Sequence, residues 1–242
     1  MVRSKGDRGV YEWMLGLSPE GWAWEFLRRN TDYISDYAAF NGLDEKVAAK
    51  AALRWGLLKF VDPDVDARTA IVFWSPAHNQ SVLPLVTAGE GQSGLSNVRC
   101  KVSVLQTAHD VQRHVLFSCD GRFLQLAISG LGDFGYVRYL VDAVPEHSNT
   151  RKLTALRRLG DLIQHKRLRP ELYSRQRRGP RLLHLIEILD SYAKDPSHRS
   201  IARYLFGEER SNKEWEHLRD RVRRGIAAGR KMTQSGYLAL LA

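Results

Sequence analysis

The spacing of apolar positions changes twice along the chain, and each change marks a different kind of backbone. Near the N-terminus Trp22, Phe26 and Leu27 recur at helical intervals, and Tyr33 and Tyr37 carry the same face across Asn30-Thr31-Asp32. Asp44 stands where a helix cap belongs, ahead of the alanine-rich run GLDEKVAAKAALRWGL with Val47, Ala51, Leu57 and Leu58 as its apolar positions. Asp62-Pro63-Asp64 breaks that pattern. Between residues 69 and 129 the texture turns to short β-type runs: TAIVFW, SVLPLV, CKVSVL, HVLFSC and RFLQLAIS. The last two flank Asp120-Gly121, a pair suited to the positive φ angles of a two-residue hairpin turn. A small antiparallel sheet is expected here.

After Pro145 helical spacing returns. Asn149 or Thr150 can cap a helix over residues 151–165, with Leu153, Leu156, Leu159, Leu162 and Ile163 as its buried stripe. A basic connector, RPELYSRQRRGP, leads to a helix marked by Leu182, Leu185, Ile186, Leu189 and Tyr192 and ended by Asp195-Pro196. Ser197 or Ser200 opens a short helix whose Ile201, Ala202 and Leu205 face inward, and Gly207 is placed to stop it. Ser211 is the expected cap of a longer helix over residues 213–228 that buries Trp215, Leu218, Val222 and Ile226. A short helix, a glycine-bearing turn and a longer basic helix follow the helix-turn-helix plan, here over about residues 197–230.

The predicted fold class is therefore α+β. Residues 1–145 form an assembly or regulatory region of N-terminal helices and a small antiparallel sheet. Residues 146–242 form an all-α DNA-binding domain.

Charge sharpens that division. The chain of 242 residues has a net charge of +10. Residues 1–145 hold 15 lysines and arginines against 16 acids, whereas residues 146–242 hold 22 against 11. Seventeen of those 22 cations are arginines, whose planar fork matches phosphate oxygens and the guanine edge. Double-stranded nucleic acid is the polyanion such a segment fits. On the last helix the face opposite the apolar stripe carries Lys213, His217, Asp220 and Arg224, flanked by Arg221 and Arg223. These side chains are expected at base edges, while Arg199, Arg203, Arg230 and Lys231 are expected on phosphates.

Other chemistries find little support. Cys100 and Cys119 are too few for a disulfide framework and lack C-x-x-C spacing. The eight histidines form no H-E-x-x-H pair, so no metal or cofactor is expected. Two glycine patterns, Gly89 to Gly94 and Gly130 to Gly135, imitate a dinucleotide fingerprint, but neither has the strand-helix-strand context it needs. No membrane-spanning run and no signal peptide are expected, which places the protein in the cytoplasm. Trp22 and Trp24, two apart, are not expected to share a face, so one is assigned to the core and the other to a second subunit. The tail YLALLA either folds back onto the DNA-binding helices or docks on a neighbouring chain.

The run Trp24-Glu25-Phe26-Leu27-Arg28-Arg29-Asn30-x-x-Tyr33 with Asp36-Tyr37 resembles the transcriptional regulator-like domain of proteobacterial regulators. The hairpin at Asp120-Gly121-Arg122 and the run Arg199-Ser200-Ile201-Ala202-x-x-Leu205-Phe206-Gly207 are similar to the RovC-type activators of type VI secretion genes. The resemblance implies a non-enzymatic transcriptional activator that binds promoter DNA and assembles as a hexamer. An activator implies RNA polymerase as a further partner. Two rival readings use the same surface: an accessory factor of recombination or excision, and an RNA-binding or anti-activator protein.

Overall fold

The computed structural model describes residues 10–87, 95, 97–106, 112–130, 137–139, 149–173 and 176–242. Helix α1 (Pro19–Leu27) starts at Ser18 with proline in its first turn, where the missing N–H costs nothing. Every residue from Glu20 to Leu27 is buried, Trp22 and Trp24 completely. Both tryptophans thus belong to the core, and the assignment of one to a second subunit is corrected. The pattern misleads because a helix enclosed on all sides has no outward face to keep polar. Glu25, with no exposed surface, accepts hydrogen bonds from Arg28 at 2.8 Å, Arg29 at 2.7 Å and the Ala67 amide at 2.8 Å, which is how a charge survives inside a core.

The helical face across Asn30 is two helices. Asn30 Oδ1 accepts from the amides of Asp32 and Tyr33 and so caps α2 (Thr31–Phe40). Helix α3 (Glu45–Leu53) follows, capped by Asp44 as its position predicts. The run TAIVFW is not a strand of the sheet. Its Trp74 makes an isolated bridge to Leu57, and the Gln125 side chain both donates to and accepts from the Trp74 backbone at 2.8 and 3.0 Å. A buried side-chain amide supplies what a neighbouring strand would.

Among the described residues five strands form one sheet: β1 (Leu83–Thr87), β2 (Lys101–Gln106), β3 (Gln112–Cys119), β4 (Arg122–Ser129) and β5 (Val137–Tyr139), in the order β2-β3-β4-β1-β5. The predicted hairpin is present, with Asp120 at φ 49° and Gly121 at φ 73°. The sheet is mixed where an antiparallel one was expected, because β1 lies parallel to β4. Hairpin partners are legible from the turn between them, whereas β1 reaches β4 across a long connection that carries no such signal. Pro84 fits β1 because β5 pairs only from Leu85 onward, leaving a ladder on one side.

Helix α4 (Asn149–His165) packs Ala155, Leu159 and Leu162 on Leu83, Leu85, Leu124, Leu126 and Ile128. Leu153 and Ile163, expected in that stripe, face outward at 59% and 39% exposure. The buried row starts at Ala155, whose small side chain lets the helix lie close to the sheet.

Helices α5 (Gly179–Lys194), α6 (His198–Phe206), α7 (Glu208–Lys213) and α8 (Trp215–Gln234) follow, with a 3-10 turn over Gly236–Leu240. One buried cluster joins the two ends of the chain: Trp22, Trp24, Phe26, Tyr33 and Trp74 pack with Leu182, Leu185, Ile186, Tyr237 and Leu241. The apolar tail therefore folds back within its own chain, and the Tyr237 hydroxyl donates to the Trp55 carbonyl at 3.1 Å. Polar ties cross the same junction. Arg29 holds Asp190 of α5 with bonds of 2.7 and 3.0 Å, and the Tyr11 hydroxyl donates to the same carboxylate. Asn30 Nδ2 donates to the Thr233 carbonyl at the end of α8.

Candidate nucleic-acid interface

Three helices build the interface around one small core. Ile188 of α5, Ile201, Ala202 and Leu205 of α6, and Leu218, Val222 and Ile226 of α8 are buried together. Ser197 caps α6 by accepting from the Ser200 amide, and Asp195-Pro196 closes α5 as expected. Gly207 ends α6 at φ 86° and ψ 156°, a region open essentially to glycine alone. The next segment departs from the expected turn: residues 208–213 form the short helix α7, and Ser211 lies buried within it, donating to the Gly207 carbonyl at 2.7 Å. Helix α8 starts at Trp215 instead. Gly225 and Gly229, one turn apart on α8, face Ile188 and Leu189, and a Cβ at Gly229 would meet Leu189 at 2.9 Å. The bare backbone lets α8 settle against α5.

All nine residues singled out from the sequence, Arg199, Arg203, Lys213, His217, Arg221, Arg223, Arg224, Arg230 and Lys231, are exposed on these helices. They are not equivalent. From residue 198 to 234 ten lysines and arginines accompany five acids. Four of those cations pair with acids one turn away: Lys213 with Glu209 at 2.7 Å, Arg210 with Glu214 at 3.0 Å, Arg219 with Glu216 at 3.4 Å and Arg223 with Asp220 at 3.2 Å. Arg199, Arg203, Arg221, Arg224, Arg230 and Lys231 make no ion pair among the described residues.

Three of these six lie against aromatic rings. The guanidinium of Arg199 sits 5.3 Å from the Trp215 ring, Arg221 5.0 Å from Phe206 and Arg230 4.9 Å from Tyr192. Stacking leaves the donor edge of each fork free while restricting its motion. Arg224 is steadied differently, donating from Nε to the Asp220 carbonyl at 3.3 Å. His217, Arg224 and Lys231 fall at seven-residue intervals, one line down the side of α8 away from the core. Arg219, Arg223 and Arg230 form a second line about a third of the way round α8, on one flank of the buried stripe. Arg221 points to the other flank, where it borders a groove with Arg181 and His184.

Arg210 and Arg219 are exposed cations of the same surface that spacing from the apolar stripe did not select. The i, i+4 relation of Arg219 to Arg223 is the signal that identifies it. The glycine patterns near residues 89–94 and 130–135, apart from Gly130 at the end of β4, lie outside the described residues, as do His109 and His147. Among the described residues no cluster of histidine, cysteine and acid side chains suits a metal ion. No helix there is long and apolar enough to cross a membrane.

A compact helical module that holds ring-stacked arginines outward suits a polyanion, and the family models that match the two ends of the chain mark it as a transcriptional regulator with a DNA-binding domain. Residues 143–242 match the family model described as the type VI secretion (T6SS) transcription factor DNA-binding domain, RovC. Residues 6–58 match the proteobacterial transcriptional regulator-like domain. Searches of curated proteins and of solved structures find no match.

Proposed function

We propose that the protein is a transcriptional activator of type VI secretion genes, acting in the cytoplasm as a homo-oligomer on promoter DNA. Helices α6 and α8 serve as a helix-turn-helix, with α7 filling the turn. The His217–Arg224 side of α8 enters the major groove, and Arg199, Arg203, Arg230 and Lys231 grip the flanking phosphates. The observation that carries this reading is the sorting of charge: the cations left without acid partners, three of them laid on rings, lie in the segment that matches a DNA-binding family. Lys213 and Arg223 join them by releasing surface ion pairs, each worth only about 0.3–0.5 kcal/mol. A hexamer that presents several such surfaces gains avidity on clustered sites. The near-neutral N-terminal part is the surface for assembly, and RNA polymerase is the partner through which an activator acts.

The test is binding of the full chain to the duplex upstream of a type VI secretion operon, with its mass in solution measured alongside. Arg224→Ala is expected to weaken binding at least tenfold while leaving the circular dichroism spectrum unchanged. Equal affinity in a folded Arg224→Ala protein shows that this face does not meet the bases. Footprints confined to the ends of a mobile element favour the excision reading, and a preference for RNA over duplex DNA favours the RNA-binding one.

A further inference from the structure

The chain has two cysteines, and the sheet brings them together. The β2–β3 ladder pairs Lys101 with Ser118, so one further step of the same register sets Cys100 opposite Cys119. Opposed residues of an antiparallel pair have Cα atoms about 4.5–5.5 Å apart, inside the range of about 4.4–6.8 Å that a disulfide spans. Both cysteines are partly exposed. The two thiols also touch: burial, and then contact with Cys119, holds the Cys100 thiol above its ordinary range. β2 is the edge strand of the sheet, so a reagent approaches this pair from the open side.

We infer that Cys100 and Cys119 form a reversible intramolecular disulfide that staples the edge strand β2 to β3. The oxidant is a low-molecular-weight disulfide. One cysteine thiolate attacks it, a mixed S–S bond forms, and one small thiol leaves. The second cysteine then attacks the mixed bond and expels the other small thiol. Two cysteines are oxidised, one small disulfide is reduced to two thiols, and the two cysteine protons pass to the departing thiolates. A raised thiol pKa keeps the thiolate fraction low at neutral pH, so the bond forms slowly under sustained oxidation. Its place is significant for the rest of the molecule. Cys100 packs against the cluster of the sheet and α4, with its thiol at the Leu168 backbone just beyond that helix, and the staple therefore bears on the connection between the sheet and the helices of the interface.

The test equilibrates the full chain in mixtures of oxidised and reduced glutathione, then counts thiols after denaturation and measures the intact mass. The two thiols are expected to disappear together, with a loss of about 2 Da, no change in oligomeric state on a non-reducing gel, and full recovery on adding dithiothreitol. Cys100→Ser and Cys119→Ser are each expected to stop at the glutathione mixed disulfide on the remaining cysteine. Glutathione on both cysteines of the unaltered protein, crosslinks between chains, or two thiols that persist through the most oxidising mixture each overturn the inference.

Discussion

A guanidinium resting on an aromatic ring has given up much of its rotamer freedom before any ligand arrives, so less entropy is lost when it meets a phosphate. Arg199 on Trp215 and Arg230 on Tyr192 are in that state, and Arg203 and Lys231 are not. Keeping the charge while removing the plane separates the two effects. Arg230→Lys and Arg199→Lys are each expected to weaken duplex binding several-fold, with the salt dependence of binding unchanged, as measured by fluorescence anisotropy over a salt series. Helical spacing makes these positions legible as outward cations. It does not reveal which of them are already neutralised, because the Arg223–Asp220 and Lys213–Glu209 pairs depend on side-chain conformations that periodicity does not encode.

The elements of the interface are fixed by a few backbone requirements. Gly207 stands at φ 86° and ψ 156° between α6 and α7. Gly207→Ala is expected to cost about 1–3 kcal/mol, measured by urea unfolding, and to weaken DNA binding because α6 and α8 lose their relative setting. Gly229→Ala forces a methyl group against Leu189 and is expected to destabilise by about 1–3 kcal/mol through overpacking. Helix caps and the hairpin are readable because each depends on residues within a few positions: Asp44, Ser197 and Asp120-Gly121 all act as their chemistry predicts. The elements that depart from the expected pattern depend on distant partners. TAIVFW has a strand's composition, yet only its end finds partners, Phe73 at the Leu58 amide and Trp74 at the Gln125 side chain about fifty positions on, and β1 takes its direction from β4.

Across the whole molecule, the regulator-like and DNA-binding segments share a core, and ion pairs brace the seam. Arg29 joins Glu25 of α1 to Asp190 of α5 with 13% of its side chain exposed. Arg29→Ala leaves Glu25 with Arg28 and the Ala67 amide and Asp190 with the Tyr11 hydroxyl alone, and is expected to cost about 1.5–3 kcal/mol, measured by chemical unfolding. Burial alone would raise the pKa of Asp190, but the bonds and charge of Arg29 outweigh it and hold the carboxyl below its usual range. Its folded pKa is thus lower than its unfolded one. The stabilisation it gives is complete above the ordinary carboxylate value of about 4 and is lost as pH falls through the lowered folded value. Asp190→Asn is expected to lower Tm at neutral pH and to flatten its fall in that acid window. None of this junction is visible in the charge pattern, which separates the two halves by composition while the buried cluster of Trp22, Ile186 and Tyr237 joins them. The most direct test of the account is the slope of log affinity against log salt for the full chain on promoter duplex. Replacing Arg199, Arg224 and Arg230 together by glutamine is expected to reduce that slope by about one for each phosphate no longer engaged, in a protein that still melts cooperatively. An unchanged slope and affinity in that folded variant would contradict the claim that these helices meet DNA.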